Sequence, residues 1–105
     1  MEFIPLPTRP LPPLRDINLG LLHVYRTTVE CGGFSQAQAE LGISRSTIST
    51  HMSNLETRLG LTLCRRGRSG CALTERGRLV YESASQFLTV LKGFRSELGE
   101  LHGRV

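Results

Sequence analysis

Residues 33–60 read GFSQAQAELGISRSTISTHMSNLETRLG, and the order of apolar, glycine and hydroxyl positions in this stretch decides the fold. Phe34, Ala37 and Leu41 are spaced as one face of a short helix. Ser35 is placed to cap it, because a side-chain oxygen there can accept a backbone N–H of the opening turn. Gly42 follows the last apolar position, where a residue tolerant of a left-handed conformation ends a helix and lets the chain turn sharply. Ile43 is then expected beneath the corner, and Ser44 as the cap of a second helix. In that helix Ile48, Met52, Leu55 and Leu59 recur at intervals of four, three and four, a single apolar stripe.

The other face of the second helix carries Arg45, Ser46, Ser49, Thr50, Ser53 and Asn54. This set of donors and acceptors has no carboxylate, which is what a helix pressed against phosphates and base edges requires. Ser35 and Gln36, at the start of the preceding helix, join it as candidate DNA-binding residues. A solvated face also appears on any two-helix corner of a small helical protein, so the surrounding sequence has to separate the two readings.

Moving outward, LTLCRRGRSGCALT at 61–74 has the shape of a β-hairpin. Leu61 and Leu63 lead in, Gly67 to Gly70 supply the turn, and Cys71 and Leu73 lead out. Beside a helix-turn-helix such a hairpin is a wing, and Arg65, Arg66 and Arg68 are expected along the sugar-phosphate backbone or in a minor groove. In a hairpin turning about Gly67 and Arg68, Cys64 and Cys71 fall opposite one another, within reach of a cross-strand disulfide. Two reduced apolar side chains under the wing is the plainer reading.

Between residues 58 and 78 stand Arg58, Arg65, Arg66, Arg68, Arg76 and Arg78 against a single acid, Glu75. The net charge of +4 is therefore concentrated in a basic patch. Lys92 is the sole lysine, and arginine's planar fork suits bidentate contact with phosphate or guanine better than an ammonium does.

Thr74 is the expected cap of a last helix, with Glu75 in the first turn where the helix dipole favours an anion. Val80, Ala84, Phe87, Leu91, Phe94, Leu98 and Leu101 then alternate spacings of four and three, an a/d-type seam. Such a helix, about 40 Å long, exceeds what a core of three short helices can cover, so the seam is expected to form a dimer interface. On the other side of the corner, Leu19, Leu22, Tyr25 and Val29 predict a first core helix over 16–30, capped by Asp16 or Asn18 and ended by Cys31-Gly32-Gly33. Residues 1–15 hold all five prolines and are expected to be an extended flexible arm. The predicted organisation is thus an arm at 1–15, a winged helix-turn-helix at 16–74 and a linker helix at 75–105.

With 105 residues, 39% of them apolar, the chain suits one small globular domain. Three cysteines without zinc-type spacing, no secretory or membrane-spanning segment, scattered histidines and no nucleophile-base grouping argue for a reducing cytoplasm. They argue against a metal, a cofactor or an enzyme.

At this point the chain resembles the N-terminal DNA-binding domain of the LysR-type transcriptional regulators, over residues 17 to about 103. Residues 33–60 follow that family's F-[ST]-x-A-A-x-x-L-x-[VI]-S-[QR]-[PS]-[AT]-[LI]-S pattern, and Leu63 to Gly77 its L-F-x-R…L-T-x-x-G ending. Gln38 stands where a second alanine is usual, Cys64 where phenylalanine or leucine packs the wing, Thr50 where arginine is common, and the proline-rich leader precedes the usual start. The resemblance implies an all-α fold with a small β wing and two linker helices packed antiparallel in a homodimer on double-stranded DNA. It also implies a hinge and effector-binding domain beyond Val105, and a tetramer is an assembly it allows for the full-length protein. The competing readings are a stand-alone winged-helix or nucleoid-type binder, and a coiled-coil interaction protein whose basic face is incidental.

Overall fold

The computed structural model describes residues 18–67 and 70–103; the arm at 1–15, the alternative cap Asp16 and the candidate Arg68 lie outside them. In order the chain forms α1 (Leu19–Cys31), α2 (Phe34–Leu41), α3 (Arg45–Leu59), β1 (Cys64–Gly67), β2 (Gly70–Leu73) and α4 (Glu75–Gly103). The strands pair antiparallel as a hairpin. This is the expected all-α fold with a β wing and a long final helix.

Local chemistry sets the helix ends. Asn18 Oδ1 accepts from Leu21 N at 2.8 Å, and Ser44 Oγ from Thr47 N at 3.2 Å, each satisfying a donor that the helix cannot. Gly42 and Gly60 stop α2 and α3 with φ of 69° and 68°, left-handed values that cost a glycine little. Ser35 is not a cap. The helix already begins at Phe34, with Gly33 at the cap position and no side-chain bond there. The Gly32-Gly33 turn is tight enough that the first helical residue, Phe34, goes straight into the core, leaving Ser35 exposed on the outer side.

The core gathers Leu21 and Tyr25 of α1, Phe34 and Ala37 of α2, Ile48, Met52 and Leu55 of α3, and Leu63 and Cys64 at the root of the wing. A fully buried aliphatic or aromatic side chain here contributes about 1.5–3 kcal/mol. The buried face of α1 differs from the sequence reading. Leu21, Tyr25 and Thr28 are deepest, Leu22 and Val29 flank them, and Leu19 is 45% exposed. Thr28 can take a core position because its hydroxyl donates to Val24 O at 2.7 Å, so its own polar group is not left unpaired.

In the wing, Cys64 pairs with Leu73 and Arg66 with Cys71. The hairpin therefore turns one residue later than expected, because Gly67 and Gly70 pair with each other instead of forming the turn. Cys64 and Cys71 are diagonal neighbours on one face, both free. A hydrogen bond between the two thiols lowers the Cys64 pKa, while that bond and burial push the Cys71 thiol well up.

The junction between the winged domain and α4 is a close backbone contact. Thr74 Oγ donates to Thr62 O at 2.6 Å and accepts from Gly77 N at 2.9 Å, so it caps α4 while holding the loop before the wing. Tyr25, fully buried, donates its phenol to Gly77 O at 2.6 Å. A Cβ on Gly77 would lie 1.9 Å from Leu63 O, so only glycine allows α4 to approach this closely.

Gly77→Ala should therefore lower stability by at least about 1 kcal/mol in urea titration; an unchanged midpoint would mean that α4 can shift off Leu63 at no cost. Burial also holds the Tyr25 phenol well above its ordinary value. The folded state then keeps a proton that the unfolded chain gives up near pH ~10, so this contribution is intact below that pH and falls as pH rises above it. Tyr25→Phe should flatten the alkaline decline in melting temperature, and an identical decline would count against a buried neutral phenol.

Candidate nucleic-acid interface

The exposed side of α3 is built from its N-terminal turn. Ser44 Oγ caps Thr47 N and lies within hydrogen-bond distance of the Ser46 and Thr47 hydroxyls, at 3.1 and 2.9 Å. Gln38 Oε1 accepts from Arg45 N at 3.1 Å. Gln38 occupies the position where the family pattern has its second alanine, and its amide gives the first turn of α3 a second acceptor. With these donors satisfied, the side chains of Arg45, Ser46, Thr50 and Asn54 stand exposed in a fixed frame, with Ser49 and Ser53 half-buried beside them. Thr50 Oγ1 donates back to Ser46 O at 3.0 Å, so what this hydroxyl presents outward is acceptor capacity. Ser35 and Gln36 are exposed at the start of α2.

Phe34, Arg45, Ser46, Ser49 and Arg66 line a shallow cleft, so the N-terminal turns of α2 and α3 and the first strand of the wing meet there. Arg65 and Arg66 are both exposed, but as adjacent strand residues they leave opposite faces of β1. Arg66 runs back to α3. One of its terminal nitrogens, Nη2, donates to Ser53 Oγ at 2.9 Å and Ser49 O at 3.4 Å and stands 3.6 Å from Glu56 Oε1. Its guanidinium carbon lies 5.6 Å above the centre of the Phe34 ring. The basic patch is also partly internally engaged: Arg78 pairs with Glu82 at 2.9 Å, and Arg58 has a partner of its own.

Glu56 was not legible as part of this site, and the polar face of α3 is not free of carboxylate along its whole length. Ser49, Ser53 and Glu56 stand at i, i+4 and i+7, one row on the helix, and that spacing is the signal that was there to be read. The carboxylate turns toward the wing. Glu56 Oε2 accepts from Leu63 N at 2.8 Å and Cys64 N at 3.4 Å.

The proposed dimer seam divides in two. Val80 packs against the domain's own core and Ala84 is buried, whereas Phe87, Phe94, Leu98 and Leu101 are exposed, Phe94 to 54%, with Leu91 between these extremes. Leu79 and Val90 widen the exposed apolar strip, at 50% and 71%.

The family model described as bacterial regulatory helix-turn-helix protein, lysR family, matches residues 19–78. The chain is 53% identical over 87 residues to the HTH-type transcriptional activator BauR of Pseudomonas aeruginosa, covering 83% of this chain and 28% of that one. It is 33% identical over 90 residues to the HTH-type transcriptional regulator PtxR of the same species, covering 86% and 29%. The chain thus spans less than a third of the length of these two relatives. Among solved structures, the BenM DBD in complex with catB site 1 DNA superposes with a TM-score of 0.77 at 26% identity, over 83% of this chain and 94% of that one. The CbnR DBD–DNA complex gives 0.71 at 28% identity, over 80% and 99%.

If the exposed N-terminal part of α3 reads base edges, Arg45→Ala or Ser46→Ala should cost about 1–3 kcal/mol on the preferred duplex and leave random-sequence binding nearly unchanged. Equal losses on both duplexes, measured by titration, would reduce these side chains to phosphate contacts.

Proposed function

This chain belongs to the LysR family of bacterial regulatory helix-turn-helix proteins, and we propose that it is the DNA-reading part of a transcriptional regulator that binds a partly palindromic operator as a dimer in the cytoplasm. The observation that carries the reading is the exposed, doubly capped start of α3. Arg45, Ser46, Ser49 and Thr50 present donors and acceptors there beside an arginine-bearing wing. A recognition helix entering the major groove contacts bases with its N-terminal residues, so these four would face base edges, with Ser53 and Asn54 farther along. Ser35 and Gln36 from α2, and Arg65 with Arg68 from the wing, would grip the flanking backbone. No step in this reading needs a metal, a cofactor or a catalytic group.

The dimer follows from α4. Phe87, Val90, Phe94, Leu98 and Leu101 form an apolar strip that no part of the described chain covers, and burying it against a second copy is worth about 25 cal/mol per Å². Antiparallel pairing, as the family resemblance implies, would set two recognition helices on one face of the duplex. Among the described residues no helix is long and apolar enough to cross a membrane, so the strip has no such use.

Competition binding with genomic fragments at physiological salt tests the function. A regulator should retain its preferred fragment over random duplex by on the order of a thousandfold or more. Little preference would mean a nucleoid-type binder, and binding to neither would mean an interaction protein. The dimer is tested separately by Phe94→Asp, which alters an exposed side chain and should leave the domain folded. Light scattering should report a monomer, because pairing would bury two unpaired carboxylates. Operator affinity should fall by more than tenfold as the second half-site contact loses its tether, which a loss near 1.4 kcal/mol already gives. A variant that still scatters as a dimer would move the interface off this strip.

A further inference from the structure

The wing carries two neighbouring arginines, and their surroundings differ. Arg65 is exposed and pairs across the hairpin with Ala72. Arg66 leaves the other face of the strand and is held by four groups on two other elements: Ser53 Oγ, Ser49 O and Glu56 Oε1 on α3, and the ring of Phe34 at the start of α2. The three α3 groups lie in one row, so the guanidinium lies along the helix just behind the residues that would face base edges. An exposed ion pair adds little energy by itself, about 0–1 kcal/mol. The contacts therefore matter mainly for the geometry they impose.

We propose that Arg66 is a positioning residue for sequence reading. It locks the wing to α3, sets the orientation of the Ser49 and Ser53 side of the recognition helix, and leaves the phosphate contact to Arg65. This rests on the DNA-reading function proposed above. Arginine is required because a planar fork can lie flat on an aromatic ring while donating in its own plane, and an ammonium offers a compact point charge without that plane. The arrangement also makes Ser53 an acceptor toward Arg66, so what its hydroxyl offers DNA is its proton. Without the clamp, Glu56 would still hold the root of the wing to α3, but the strand beyond it would lose its tie to the Ser49 and Ser53 row. Specificity, which depends on α3 registering with base edges, would then suffer more than charge-driven attraction, which does not.

The experiment compares the parent chain with Arg66→Ala, Arg66→Lys and Arg65→Ala. The probes are the best-bound genomic fragment recovered by the parent and a random duplex of equal length, titrated over a series of salt concentrations. A parent with no preferred fragment would refute the function itself, and that result is read before any variant. Given a preference, Arg66→Ala should reduce the ratio of specific to random affinity about tenfold while the salt slope on random duplex stays unchanged. Arg66→Lys should fail to restore the ratio. Arg65→Ala should do the reverse, lowering the slope by about one and weakening both complexes alike. If Arg66→Ala does not stay folded at the assay temperature, Arg66→Lys decides on the same two readouts. A slope reduced by about one, a ratio restored by lysine, or no change in either quantity would each overturn the proposal.

Discussion

One carboxylate ties together the parts of this domain that would touch DNA. Glu56 sits on the third helix, and its side chain receives the amides of Leu63 and Cys64 at the root of the wing and faces the guanidinium of Arg66. Its own carbonyl accepts from Gly60 N and Leu61 N as the helix ends. Leu63 is fully buried, so its amide needs a partner, and an amide left without one costs about 1–3 kcal/mol. A loop with no regular structure, from Gly60 to the first strand, is in this way anchored at both ends by one residue. The wing cannot swing independently of the helix without breaking bonds to a buried backbone.

The same loop is held from its other side by the start of the last helix. Leu63 O accepts from Thr74 N at 3.0 Å and lies so near Gly77 that no side chain fits between them. Tyr25 bonds Gly77 from the first helix. The direction in which α4 leaves the domain is thus set by contacts on the wing root, the very segment that Glu56 fixes to α3. In a dimer joined through α4, the separation of two recognition helices would follow from this chain of short contacts.

Much of this was legible in the sequence where the cause is local. Ser44, Gly42 and Gly60 act through their own backbone neighbourhood, and a helix cap or a left-handed glycine is written in a few adjacent residues. The stripe of Ile48, Met52 and Leu55 and the hairpin were readable for the same reason. Errors arose where the path of the backbone, rather than the residue type, decides which residue takes a position. Ser35 looked like a cap until the Gly32-Gly33 turn let Phe34 start the helix, and Thr28, no part of the apolar spacing, sits in the core with its hydroxyl donating to Val24 O. The pairing of Gly67 with Gly70 moved Cys64 off Cys71. Within the candidate site, the outward side chains of α3 were readable from periodicity. The roles of Glu56, Gln38 and Arg66 were not, since each depends on which other element the fold brings alongside.

In the proposed complex two copies of α3, each backed by its wing, read two half-sites on one face of a duplex. A hydroxyl-radical footprint of the chain on its best-bound genomic fragment tests this most directly. Two protected patches related by an approximate dyad are expected, their centres a whole number of helical turns of roughly 10–10.5 base pairs apart. A single isolated patch, or unbroken protection that ignores sequence, would contradict it.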